Sequence, residues 1–176
     1  GRDNVRSRWL PRWLRAPGRG AAECRYELER ALHDGPVERL SALAIELDLL
    51  SATVGDLALV SRVDVLQETV CSLLEQHRRL GAAIHPPVLA DGLEPTWMSV
   101  AERCDLRLRL DLPNHELGAQ ASTRTGLLVA DHLRTLEPGT VVRVRVRGRR
   151  FVRVHMTEQR PGSTQRRNSR AVLLCG

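Results

Sequence analysis

The chain has 176 residues, 42% hydrophobic but only 3% aromatic; this excludes wholesale disorder and assigns the core to Leu, Val and Ala, which suits helical packing. All 27 basic residues are arginine, and charge is segregated: residues 1–19 carry +5, residues 143–176 carry +9, and residues 20–142 carry −8 of a total of +6. Basic ends attract nucleic acid or anionic lipid, but the acidic centre and the scarcity of stacking aromatics argue against single-stranded nucleic acid, so a nucleic-acid partner is not expected.

Residues 1–21 read as a basic linker. Trp9, Leu10, Trp13 and Leu14 lie among arginines there, a pattern that allows membrane contact through residues 1–20, while Pro11 and Pro17 break any continuous helix. From Ala22 the pattern is helical. Leu40, Leu43, Leu47, Leu50 and Val54 follow 3-4-3-4 spacing, Val54-Gly55-Asp56 supplies a turn, and Val63, Leu66, Val70, Leu73, His77, Leu80 and Ile84 continue the register. His77 reads as a packed histidine. Two helices of this kind form a hairpin over residues 22–85. One hairpin cannot cover both its apolar stripes, so a homodimeric four-helix bundle is expected.

His85-Pro86-Pro87 ends the second helix. Residues 86–176 read as a small α+β domain. A short helix spans 94–104, and Leu106, Leu108, Leu110 and Leu112 alternate in a strand. A helix covers 117–136. Val142, Val144 and Val146 alternate with arginines, Gly148 marks a turn, and Phe151, Val152 and Val154 return. Residues 158–169 read as flexible, and Ala171–Leu174 as a last short strand.

Cys24, Cys71, Cys104 and Cys175 share no CxxC spacing, and no His pair completes a zinc set, so neither a metal centre nor a disulfide framework is expected. A reducing cytoplasm is the default compartment. No apolar run approaches the roughly 20 residues of a membrane span. An initial Gly suggests a fragment, with a sensor or membrane segment upstream that would tether it to the inner face of the membrane.

The chemistry concentrates at Leu28-Glu29-Arg30-Ala31-Leu32-His33-Asp34-Gly35-Pro36-Val37-Glu38-Arg39-Leu40. Imidazole accepts a phosphoryl group when one nitrogen is unprotonated, and a neighbouring carboxylate can hold the proton on the other. Pro36 lacks an N–H and should kink the helix. That kink matters, because the Leu40 heptad extended backward would bury His33. A buried histidine beside a surface Asp is the alternative from spacing alone.

The stretch resembles the dimerisation and phosphoacceptor helix of the nitrate-sensor and desaturase-sensor class of histidine kinases. The segment Gly81 to Leu93, with Ile84-His85-Pro86-Pro87 at its centre, resembles that family's junction into its ATP-binding domain. The resemblance implies that His33 is the phosphoacceptor and Asp34 its acid/base partner. It also implies that the face around Arg30, Pro36, Val37 and Glu38 docks a response-regulator receiver domain. Many members carry Gln where this chain has Glu38; a carboxylate cannot donate an amide hydrogen bond, which argues against family-type phosphatase activity. The family's magnesium-binding Asn is missing near Val129-Ala130-Asp131-His132-Leu133-Arg134-Thr135, with Arg134 at or near its place. Met156-Thr157-Glu158-Gln159-Arg160-Pro161-Gly162 replaces its Asp-x-Gly-x-Gly motif, and its glycine-rich lid is absent. Asp131 and Glu158 lack metal-ligand spacing.

The sequence thus reads as a degenerate histidine kinase that acts as a histidine phosphotransfer protein without ATP; ATP and magnesium enter only if the altered site still works. A non-catalytic module that binds a regulator or a partner kinase, and an active kinase fragment, stay open as alternatives.

Overall fold

The computed structural model describes residues 11–174. Trp9 and Leu10 of the basic segment, and Cys175, lie outside them. The chain is α+β, and the described residues form two compact units: residues 23–86, and residues 11–22 together with 87–174.

α1 (Arg19–Leu32), which enters the first unit at Glu23, runs into a five-residue π-helical turn, His33–Val37, and then α2 (Glu38–Thr53). Val54, Gly55 and Asp56 form the connection, and the Asp56 carboxylate accepts from the Ala58 N–H at 2.9 Å, capping α3 (Leu57–Ile84). Alanines, leucines and glutamates fill these helices, so local preference and apolar periodicity agree. The 3-4 pattern divides between two faces. Leu47, Val63 and Val70, with Leu40 and Ala44 against them, close α2 onto α3. The alternate positions face outward: Leu43 and Leu50 on α2, and Leu59, Leu66, Leu73 and Leu80 on α3, are all exposed in the single chain. At the far end, Arg25 donates to the carbonyls of Ile84 and Ala83, and Tyr26 meets His85 edge-on at 5.4 Å. His85 is shifted below its ordinary pKa by burial, with the Glu29 carboxylate opposing and Arg25 assisting.

The second unit is a five-stranded mixed sheet, with β1 (Arg12–Trp13), β2 (Arg107–Asp111), β3 (Val141–Arg147), β4 (Phe151–Gln159) and β5 (Arg166–Leu174) in the order β1-β5-β4-β3-β2. β3, β4 and β5 are antiparallel neighbours; β2 lies parallel to β3, and β1 parallel to β5. A 3-10 turn (Pro87–Asp91) leads into α4 (Leu93–Arg103), and α5 (Ala119–Leu133) follows β2. One sheet face carries Val142, Val144, Val146, Val152, Val154, Met156, Ala171 and Leu173, buried with Trp97, Val100, Leu128, Val129 and Leu133 of the two helices. The Trp97 indole N–H donates to the Gly126 carbonyl at 3.1 Å, joining α4 to α5. Gly148 turns β3 into β4 at φ +97°, in the left-handed region that favours glycine.

Two expectations are corrected. Residues 166–169, read as flexible, begin β5, because Ser169 and Ala171 point inward and pair across to Met156 and Val154. The basic segment read as a linker contributes β1, whose Arg12 and Trp13 pair with Ser169 and Arg170.

Candidate functional site

The π turn builds the site. Pro36 offers no N–H to the carbonyl of Leu32, and the helix widens around it. The Glu38 N–H reaches the His33 carbonyl, five residues back, as well as that of Gly35. The widened turn holds one residue more than an α turn and rotates the faces of α1 and α2 by roughly 100° relative to each other. His33 therefore escapes the inward position that its spacing to Leu40 and Leu47 implies: its side chain is 63% exposed, and that of Asp34 55%.

His33 Nδ1 lies 3.4 Å from Asp34 Oδ1, and Arg30 Nε donates to the other oxygen, Oδ2, at 3.3 Å. The carboxylate thus sits between an imidazole and a guanidinium. Nε2 of His33 has no partner among the described residues. The i to i+5 geometry also brings Glu38 beside the imidazole: one ligand atom each from His33, Asp34 and Glu38 falls within 4.8 Å of the others. These are the described side chains grouped closely enough to share a metal ion, and all three are exposed.

Not every expected contact residue faces out. Arg30 and Glu38 are exposed and Pro36 is half-buried, but Val37 is 8% exposed. It lies three residues before Leu40, in step with the inward Leu40, Ala44 and Leu47, and its burial in the single chain sets it apart from the exposed Arg30 and Glu38.

No known family model matches the chain, and no curated protein matches it either. Among solved structures, it is similar to the histidine kinase domain of a blue-light activated histidine kinase from Erythrobacter litoralis EL346. Identity is 13%, the match covers 73% of this chain and 75% of that one, and the TM-score is 0.38. At that level of similarity the residues themselves must carry the assignment.

The sequence reading did not foresee a buried histidine–carboxylate hydrogen bond in the second unit. His132 on α5 and Glu158 on β4 meet at 3.0 Å, Nε2 to Oε2, with side chains 6% and 11% exposed. Glu158 is held below the usual carboxylate range by the hydrogen bond from His132, with burial opposing. The alternation of β4 places Glu158 inward with Val154 and Met156, a signal that was available in the sequence. Asp131 and Arg134 pair with each other on the more open side of α5.

Proposed function

We propose that this chain is a two-component signalling protein in which His33 receives and passes on a phosphoryl group, in exchange with the aspartate of a response-regulator receiver domain. The observation that carries the proposal is the solvent-facing imidazole whose Nδ1 is held by Asp34 while Nε2 is unengaged. Neutral imidazole with its proton on Nδ1 presents the Nε2 lone pair outward. Nε2 attacks the phosphorus of the receiver's acyl phosphate; the N–P bond forms, the P–O bond breaks, and the receiver's carboxylate leaves. The positive charge that develops on the ring is met by Asp34, which holds the Nδ1 proton throughout. In the reverse direction, the receiver's carboxylate attacks and neutral His33 leaves.

Two further features support the reading. The outward leucines of α2 and α3 supply the apolar stripe that a homodimeric four-helix bundle needs. Glu158 stands where the resemblance puts an adenine-reading acid, yet its carboxylate is buried and bonded to His132, which favours loss of ATP-dependent self-phosphorylation.

A second reading, a non-catalytic module that binds a regulator or partner kinase, is favoured by one observation: the Asp34 carboxylate is shared, its second oxygen accepting from Arg30, which offsets the charge it offers His33. One experiment separates the two. The full chain is incubated with receiver domains radiolabelled on their aspartate. Label should move to wild type and not to His33→Gln. Tight receiver binding without label on any histidine would replace the first reading with the second.

A further inference from the structure

The charge segregation of the sequence takes a different form in three dimensions. β2, β3, β4 and β5 each turn one set of side chains away from α4 and α5. In register across the sheet, Arg107 neighbours Val141, Gln159 and Arg166; Arg109 neighbours Arg143, Thr157 and Asn168; Asp111 neighbours Arg145, His155, Arg170 and Trp13; and Arg147 neighbours Arg153 and Val172. The open face thus carries eight exposed arginines from two distant stretches of chain and one acid, Asp111. Asp111 binds Arg145 at 2.8 Å and Arg147 at 2.7 Å. No carboxylate pairs with Arg107, Arg109, Arg143, Arg153, Arg166 or Arg170 among the described residues. His155 adds no fixed charge: burial, then Arg170 and Arg145, lower its pKa.

Two aromatic side chains share this face. Trp13 is 65% exposed beside Arg170, and Phe151 is 56% exposed opposite Leu174. Strand spacing of about 4.8 Å and a rise of about 3.3 Å per residue make the face roughly 20 Å across and 25 Å long.

We infer that this sheet face binds single-stranded nucleic acid. Arginines dispersed over four rows neutralise successive phosphates, and Trp13 and Phe151 offer flat surfaces for unstacked bases. Thr157, Gln159 and Asn168 lie among the arginines as neutral hydrogen-bonding groups. A membrane fits less well, because docking flat would press those polar side chains into the acyl region, while exposed apolar groups of β4 and β5 gather only at the Phe151 end. The inference is independent of the role of His33, which belongs to the other unit.

The test is fluorescence anisotropy of the full chain with labelled 20-nucleotide uridine and thymidine oligonucleotides. About five phosphate contacts predict a salt slope near −3.5, which is about a 100-fold weakening between 50 and 200 mM salt. The Arg109→Glu/Arg143→Glu double variant should weaken binding at least tenfold and flatten the slope by about 1.4. Arg62→Glu/Arg78→Glu, which makes the same change in net charge on α3, should leave binding within about twofold. Trp13→Ala and Phe151→Ala should each weaken it roughly fivefold or more at unchanged slope. Circular dichroism checks that each variant is folded. No binding at 100 µM protein in 50 mM salt would overturn the inference. So would equal losses in the two double variants, or tighter binding to phosphatidylserine vesicles that is lost on Phe151→Ala and Leu174→Ala but kept in Arg109→Glu/Arg143→Glu.

Discussion

Leu59, Leu66, Leu73 and Leu80 recur every seven residues along α3 and are 47%, 55%, 41% and 50% exposed in the single chain. About half of each side chain is therefore available for burial if two hairpins pair. Full burial of a leucine is worth about 1.5–3 kcal/mol, so each contributes about 0.7–1.5 kcal/mol to pairing. Replacing Leu66 and Leu73 by Gln removes that contribution four times in a symmetric dimer, roughly 3–6 kcal/mol, or about 10²- to 10⁴-fold in the dissociation constant. Gln has good helix propensity, so the hairpin itself should survive. Its own closure rests on Leu47, Val63 and Val70, which the substitutions leave alone. Sedimentation equilibrium from 1 to 500 µM measures the constant, and circular dichroism checks the helices. A wild type that stays monomeric at 500 µM, or a double variant that dimerises within tenfold of wild type, refutes the reasoning.

Trp97→Ala empties a fully buried site and strips the Gly126 carbonyl of its indole donor; it should cost about 3–5 kcal/mol and lower the melting temperature of the sheet unit by about 10 °C or more. Gly148→Ala places a methyl 2.0 Å from the Phe151 carbonyl oxygen at φ +97°; the β3–β4 turn must distort, and hydrogen exchange should be fastest there. Glu38→Gln removes an anion from beside His33 and should raise the steady-state yield of phosphohistidine severalfold at low salt, with the gain shrinking as salt screens it. The depressed pKa of Glu158 contributes stability that is full above its ordinary value near 4.5 and is lost as pH falls through the folded value. Glu158→Gln should remove that acid-side slope from a urea-melt series between pH 5 and 3.

Much of the architecture was legible because the signals were periodic. The valines of β3 alternate with arginines, and the leucines of α2 and α3 recur every three and four residues, so burial on one side dictates both elements. The elements that escaped lacked such a signal. β5 begins with Arg166, Arg167, Asn168 and Ser169, which resemble a polar loop because one side of the sheet is open and, of these four, the small Ser169 is the one that is buried. β1 spans two residues, too few for any period, and exists through its pairing with β5. Pro36 announced a disturbance but not its form; the i to i+5 hydrogen bond depends on the helix continuing on both sides. The basic face was hidden because charge was counted along the chain, whereas strand pairing collects Arg107 and Arg109 with the arginines that begin at Arg143.

A proline sits inside the longest helical stretch at a cost that helix propensity alone would reject. His33, Leu40 and Leu47 are seven residues apart, and an uninterrupted helix would present all three to α3. An imidazole there would be closed to any phosphoryl donor. By widening one turn, Pro36 gives the inward position to Val37, three residues before Leu40, and turns His33 out beside Asp34 and Glu38. Placing the proline a full turn earlier or later would move the rotation off His33. The position of the proline, not only the presence of His-Asp, is therefore what leaves the His33 imidazole open to solvent beside its carboxylate.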